Sequence, residues 1–211
     1  MKVNKQFKSS VFSLLFSDPD ILRDLYCALK GVSLPDDIPV VINTLDDVLF
    51  MDQINDISFE IGGRLVVLIE HQSTINPNIA LRLLMYIARV YEKIAGGRNI
   101  YSSKKMTIPQ PEFFVLYNGA ALFPDETVIK LSDLFKSLEP LGLPEKVRPA
   151  LELEVKVLNI NEGKNKAIVQ RCHHLAQYSA FVAKVREFEG SGNSLQEAIK
   201  KAVVYSWRPI S

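Results

Sequence analysis

The chain has 211 residues, of which 47% are hydrophobic and 23% are charged, and its formal net charge is +1. This composition is that of an ordinary globular domain and excludes a global charge that would attract nucleic acid or a membrane surface, so any polyanion binding has to come from a local patch. Cys27 and Cys172 lie far apart in sequence and resemble neither a disulfide framework nor a zinc site, which favours a reducing compartment.

We expect a single cytoplasmic domain with no targeting segment. The lysines near the N-terminus are not followed by an unbroken apolar stretch, so no signal peptide is predicted. The longest apolar run beside the central glycines, residues 65–69, is far too short to span a bilayer. A chain of 211 residues suits one domain, over residues 1–211.

The N-terminal part of the chain predicts two helices followed by strands. Residues 5–16 indicate a short helix with apolar residues at helical spacing. Asp18 and Pro19 begin a second helix, because Asp caps a helix N-terminus and Pro fits the first helical position. Gly31 is expected to end that helix as a C-terminal cap. Strand candidates follow at residues 40–43 and 48–51.

Two glycines predict a hairpin in the middle of the chain. A three-residue loop of Gly62, Gly63 and Arg64, formed as a type I turn closed by a left-handed Gly63, places Asp56 directly across from Glu70. A two-residue turn would place Asp56 and Glu70 on opposite faces. Burial favours the three-residue loop, because one face of the hairpin is then an unbroken apolar surface. That surface consists of Ile57, Phe59, Ile61, Leu65, Val67 and Ile69.

The other face of the hairpin mixes polar and apolar side chains. It carries Asp56, Ser58, Glu60, Val66, Leu68, Glu70 and Gln72. One interpretation is an ordinary hairpin with one solvated face. The apolar side chains between the acids favour another, in which a further element covers this face and the carboxylates are partly buried. A divalent metal ion that activates a water for attack on a phosphodiester can be held by such a carboxylate pair.

An amphipathic helix is predicted over residues 76–95, opened by Asn-Pro and stopped by two glycines. Arg82, Arg89 and Lys93 fall on a shared flank of this helix, with Tyr86 between them. One interpretation is that the three cations contact DNA phosphates, since such contacts need only positive charge and reach. The other is a solvated helix face. We expect Tyr86 to pack in the core.

The C-terminal half of the chain completes a mixed α/β pattern with helices packed on a sheet. We predict a strand buried on both faces at residues 112–117, a short helix around residues 131–138, a half-exposed strand at residues 151–158 and a long helix over about residues 165–189. A capping box from Ser194 to Glu197 opens a last helix. His71 alternates away from Glu70, so we expect it to be a satisfied, partly buried histidine on the apolar face.

The order helix, three strands, helix, strand, with Asp56 on one hairpin strand and Glu70-His71-Gln72 on the other, resembles the PD-(D/E)XK nuclease core. More narrowly, roughly residues 5–205 resemble the bacterial recombination-promoting nuclease/putative transposase family. The segments that carry this resemblance are residues 7–12, 44–50, 55–59, 68–77, 81–92 and 113–119. Within them, the Glu-His-Gln-Ser-Thr stretch that starts at Glu70 is specific.

The resemblance implies an α/β fold with a restriction-endonuclease-like core at about residues 5–120 and a C-terminal extension of a strand and helices at about 121–211. It also implies a metal-dependent DNA endonuclease of a mobile-element, recombination-promoting type. Asp56, Glu70 and Gln72 would be the catalytic residues. The two acids would bind Mg²⁺ or another divalent cation, and Gln72 would take the place of the superfamily lysine.

The sequence departs from the family pattern at three places. Gln72 can orient a water or donate to a phosphate oxygen, but it cannot carry a positive charge. Ser9 stands where the first helix of the family often has an acidic residue, and it weakens the site if that acid helps to hold a metal; Ser9, Ser58 and Glu60 are candidates for residues that surround the metal ligands. Residues 205–211 do not resemble the end of a finished helix, and family members are usually longer at the C-terminus. We therefore expect a shortened or frame-shifted copy of a mobile element.

Two alternatives to an active nuclease stay open. The first is a degenerate relative that binds DNA or a protein without cutting, which Ser9 and the abrupt C-terminus favour. The second is an interaction module with no nucleic-acid role, which is consistent with the net charge of +1. For the nuclease, DNA is the expected partner, a homodimer would supply the two sites that double-strand cutting needs, and no membrane partner is expected.

Overall fold

The computed structural model describes residues 7–43, 56–96, 100–144 and 149–206, apart from the side chains of Ser9 and Asp56. The helices are α1 (Phe7–Leu15), α2 (Pro19–Lys30), α3 (Ile79–Ala95), α4 (Lys166–Val169), α5 (His173–Gly190) and α6 (Leu195–Ser206). The strands are β1 (Val40–Ile42), β2 (Asp56–Ile61), β3 (Leu65–Gln72), β4 (Gln110–Tyr117), β5 (Glu126–Lys130) and β6 (Glu154–Asn159). The strand candidate at residues 48–51 lies outside the described residues.

The six strands form one mixed sheet in the order β1-β2-β3-β4-β6-β5. Strands β1, β2 and β3 are antiparallel neighbours, whereas β3, β4 and β6 run parallel, and β5 is antiparallel to β6. The predicted α/β class is confirmed, and the order of helices and strands is compatible with a PD-(D/E)XK-like core. Because β6 pairs with β4, the predicted C-terminal extension shares the sheet of the core.

The hairpin has the register that burial predicts. Asp56 is the register partner of Glu70, and Ile61 is the register partner of Leu65. The predicted type I turn is wrong, because Gly62 and Gly63 both have positive φ angles, of 57° and 61°. Positive φ at both central residues belongs to a type I′ turn, whose twist matches that of the flanking strands.

Each face of the sheet buries its own hydrophobic core. The α1, α2, α5 and α6 helices cover the face that carries Ile57, Phe59 and Ile69. Helix α3 covers the other face, where Val66 and Leu68 are both buried. The expected cover over the acidic face of the hairpin is therefore present, and α3 provides it.

The ends of the helices follow from local chemistry, with two corrections. Asp18 caps α2 and Gly31 ends it at a φ of 68°, as predicted. The single helix predicted over about 165–189 is wrong, because an extended Cys172 (φ −111°) separates α4 from α5. The short helix expected around 131–138 is present only in its first half, as a 3₁₀ helix over Leu131–Leu134 in which the Asp133 carboxylate accepts from the Lys130 N–H.

Strand β5 was not expected from the sequence. It lies at the edge of the sheet and is bordered by ion pairs between Lys130 and Glu154 and between Lys156 and Glu126. None of the described helices is long and apolar enough to cross a membrane.

Candidate functional site

Glu70 lies near the end of β3 on the face that α3 covers, and it is only 2% exposed. Its Oε1 atom accepts two hydrogen bonds, one from Gln72 Nε2 at 2.7 Å and one from Arg82 Nη1 at 3.0 Å. Its Oε2 atom is buried and has no hydrogen-bond partner within the part of the chain that the structure describes. The carboxylate is thus held firmly at one oxygen while the other has an unused acceptor.

Burial and neighbouring donors act on Glu70 in opposite directions. Burial raises the pKa of the Glu70 carboxyl, because a charged carboxylate loses hydration inside the protein. The hydrogen bond from Gln72 and the charge of Arg82 oppose that rise. These two donors therefore favour the ionised form that a metal ligand requires.

Gln72 uses both ends of its buried amide. Nε2 donates to Glu70, and Oε1 accepts from the backbone N–H of Asn76 at 2.9 Å. The backbone carbonyl of Gln72 accepts from Asn118 N–H, where β3 and β4 end side by side. Gln72 consequently joins Glu70 to the turn that leads into α3.

The cations predicted on α3 do not share one environment. Arg82 points at Glu70 and also donates through Nη2 to the Tyr86 hydroxyl at 3.0 Å. Arg89 lies at the surface in an ion pair with Glu92, in which both side chains are more than half exposed. Lys93 lines a cavity of about 220 Å³ together with Glu60 and Asn43.

Tyr86 is mostly buried, as predicted, and its hydroxyl group also accepts a hydrogen bond from Arg82. Sequence reasoning missed this link. Its signal is the spacing of four residues between Arg82 and Tyr86, which places two side chains over one another on a helix.

The remaining predicted site residues lie on the hairpin and on α1. The backbone of Asp56 is directly across from Glu70, and its side chain is outside the described residues, as is that of Ser9. Ser58 is buried, and its hydroxyl accepts from Asn43 Nδ2 at 3.4 Å. The structure therefore brings Glu70, Gln72 and Arg82 into contact and leaves Ser58 farther along the hairpin.

The residues present fit a hard divalent cation. An unpartnered buried carboxylate oxygen is costly by itself, and a cation beside Glu70 Oε2 would satisfy it. Among the described side chains, no three or more His, Cys, Asp or Glu residues form a group that could hold a metal ion. A cation here would depend on Glu70 and Asp56, which suits Mg²⁺ because that ion keeps several waters and needs only one or two carboxylates.

His71 occupies the opposite face of β3, as predicted, but the expectation of a satisfied, partly buried histidine is wrong, because the side chain is fully buried and its Nδ1 atom has no hydrogen-bond partner among the described residues. Its Nε2 atom lies 2.9 Å from the Tyr178 hydroxyl, and its ring stacks on Phe12 with centroids 5.1 Å apart. Burial lowers the pKa of His71 to about 3, assisted by the charges of Lys8 and Arg186. His71 is therefore a neutral core residue that does not face the carboxylate site.

A mixed sheet with this helix order, whose central hairpin carries a buried Glu and a buried Gln two residues apart, with an Asp opposite the Glu, is compatible with a PD-(D/E)XK-like core. The family model described as "Putative transposase, YhgA-like" matches residues 43–202, more than half of the chain. The chain belongs to this PD-(D/E)XK-like recombination-promoting nuclease/transposase family, and the predicted resemblance is confirmed. No match was found among curated proteins or among solved structures.

Proposed function

We propose that this protein is a divalent-metal-dependent DNA endonuclease that hydrolyses phosphodiester bonds in a recombination-promoting role. The observation that carries the proposal is the Glu70 carboxylate. It is buried, it has two donors on Oε1 and none on Oε2 among the described residues, and it lies opposite Asp56 in the strand register. Membership of a transposase family supports the same reaction class.

Each residue of the site has a task in this proposal. Asp56 and Glu70 would hold the cation, for which Mg²⁺ is the first choice because both ligands are carboxylates. A bound cation would supply Lewis-acid polarisation of the scissile phosphate. Gln72 keeps Glu70 oriented, and exposed Arg89 with Lys93 would contact the DNA backbone, because both belong to α3, the helix whose Arg82 donates to Glu70. A homodimer in the cytoplasm would provide two such sites for double-strand cutting.

The test is cleavage of supercoiled plasmid by the purified protein in Mg²⁺, with a chelator control. We expect Glu70→Gln and Asp56→Asn to lower the cleavage rate by about a hundredfold or more, because metal assistance contributes several kcal/mol to the transition state. Glu139→Gln, at an exposed acid away from the hairpin, should cut like the parent. Parental rates in Glu70→Gln and Asp56→Asn would show that the site assignment is wrong.

The second candidate is a degenerate relative that binds DNA without cutting it. The ion pair between Arg82 and Glu70 at 3.0 Å favours it, because a guanidinium already neutralises the carboxylate that a metal would use. It predicts salt-sensitive gel shifts with plasmid that stays intact in every divalent metal tried. Reproducible metal-dependent cleavage that Glu70→Gln abolishes would remove this candidate.

A further inference from the structure

Arg82 and Gln72 together decide which oxygen of Glu70 is available. Both donate to Oε1, at 3.0 Å and 2.7 Å, so this atom is the fixed end of the carboxylate. Oε2 is buried and accepts no hydrogen bond within the described residues. Two donors on one oxygen restrict rotation of the carboxylate, and Oε2 is thereby kept in one position.

Arg82 is itself held in place. Its second guanidinium nitrogen donates to the Tyr86 hydroxyl one turn along α3 at 3.0 Å, and the guanidinium carbon lies 5.7 Å from the Tyr86 ring centroid. Tyr86 is only 6% exposed, so its ring gives Arg82 a rigid support. The planar fork of a guanidinium suits this double contact, whereas an ammonium group has no fixed fork.

Fold stability alone is a poor explanation for this arrangement. Glu70 is buried and the Arg82 side chain is 26% exposed, and such a partly desolvated Arg–Glu pair often contributes little to stability, because the cost of desolvation offsets the attraction of the two charges. Leaving Oε2 without a donor adds a further cost. Groups arranged at such a cost are common at functional sites. The position two residues after Glu70, where the superfamily has a lysine, is occupied here by the neutral Gln72.

We propose that Arg82 is a positioning residue of this site: it holds the Glu70 carboxylate so that Oε2 stays available to a divalent cation, and it brings the positive charge that Gln72 cannot carry. This inference rests on the proposed function. Arg82 thus acts on the Glu70 carboxylate inside the site, whereas the exposed Arg89 on the same helix contacts the DNA backbone in the proposed function.

The sign of one measurement separates positioning from simple charge repulsion. By charge alone, Arg82 repels a cation, so its removal would strengthen cation binding. If Arg82 instead positions Glu70, its removal weakens binding although a repulsive charge has gone. Because Arg82 also favours the ionised form of Glu70, the expected signature of positioning is weaker cation binding in a folded variant that stays weaker when the pH is raised.

The experiment measures the concentration of free Mn²⁺ from its EPR signal while the full-length protein is titrated with Mn²⁺ in the absence of DNA. We expect Arg82→Met to weaken Mn²⁺ affinity by about tenfold, in line with the loss of a charge-assisted hydrogen bond. Arg82→Lys should recover part of the affinity, because it keeps the charge but not the fork. Arg171→Met, at an exposed arginine between α4 and α5, should match the parent. Cleavage rates at subsaturating Mn²⁺ should follow the same order.

Unchanged or tighter Mn²⁺ binding by Arg82→Met would overturn the inference and leave the proposed function intact. A parent protein that binds no Mn²⁺ at all would overturn both. If Arg82→Met does not fold, Tyr86→Phe removes only the hydroxyl that supports Arg82 and should weaken Mn²⁺ binding several-fold. Parental binding by Tyr86→Phe together with parental binding by Arg82→Lys would then count against positioning.

Discussion

At the scale of single residues, Gln72 does something that a lysine could not do in its place. Its amide donates to Glu70 and at the same time accepts from the Asn76 N–H. An ammonium group has three donors and no acceptor, so a lysine could replace only the first contact. The neutral residue at this position therefore links the carboxylate to the chain that enters α3.

We expect Gln72→Met to reduce the free energy of unfolding by about 1–3 kcal/mol, because the Asn76 N–H and Glu70 both lose a partner while the packing volume stays similar. The measurement is urea unfolding followed by circular dichroism. Gln196→Met, at an exposed position on α6, is the matched control and should change stability little. A Gln72→Met midpoint equal to that of the parent would contradict the linking role.

The sequence predicts the face on which Glu70 lies but not the direction of the Arg82 side chain, because a strand restricts side-chain directions more than a helix flank does. Alternation in a strand has only two faces, so the buried apolar set decides on which side Glu70 lies. A helix flank is continuous, and a long arginine side chain can turn toward solvent or toward the sheet. The direction of Arg82 depends on Glu70 and Tyr86, which become its neighbours only after α3 packs on the hairpin.

At the scale of secondary-structure elements, the turn of the hairpin sets the register that opposes Asp56 to Glu70. Gly62 and Gly63 both adopt positive φ angles. A Cβ atom added at Gly63 would meet nothing within 4 Å, whereas one at Gly62 would lie 3.2 Å from Ile38 Cγ2. Backbone conformation is thus the only obstacle to a side chain at Gly63, while Gly62 also has a close neighbour.

We expect Gly63→Ala to lower the free energy of unfolding by about 1–2 kcal/mol, the cost of a left-handed conformation for an L-residue. Gly63→Asn should cost less, because asparagine tolerates this conformation. Thermal unfolding of both variants beside the parent gives the comparison. Equal melting temperatures for Gly63→Ala and the parent would mean that position 63 is not left-handed in solution.

The elements that sequence reasoning missed are those with weak local signals. Strand β5 lies at an edge, with alternating exposure and charged residues at both ends, so it carries no continuous apolar run. The break between α4 and α5 falls in a segment without proline or glycine at Cys172. Buried Cys172 belongs to the core under α1, α2 and α5, and tertiary packing rather than helix propensity explains its extended backbone.

At the scale of the whole molecule, one polar group connects three elements behind the site. The Tyr178 hydroxyl of α5 lies 2.9 Å from His71 Nε2 on β3 and 3.3 Å from the Lys8 carbonyl oxygen on α1. Arg186, also on α5, donates to the Asn118 carbonyl and to Asn161 Oδ1. The ends of β3 and β4 are thereby tied to the helices on the opposite face from Glu70.

This connection places positive groups close together. Burial lowers the pKa of Lys8 from its ordinary value of 10.5 to about 8, and the charge of Arg186 adds to that effect. Burial also lowers the pKa of Arg186. A charged Lys8 is consequently less favourable in the folded protein than in the unfolded chain, and the molecule carries that cost at neutral pH.

We expect the free energy of unfolding to increase as the pH rises from about 8 towards 10. In that interval folded Lys8 has released its proton while the unfolded lysine keeps it, so the unfolded state binds more protons and stability grows with pH. Lys8→Met should be more stable than the parent at pH 7 and should lack this part of the increase. Urea unfolding at pH 7, 8, 9 and about 9.5 measures the slope, and Lys200→Met, exposed on α6, should keep the parental slope. Identical pH dependence in Lys8→Met and the parent would contradict the lowered pKa of Lys8 and therefore its burial beside Arg186 in the folded protein.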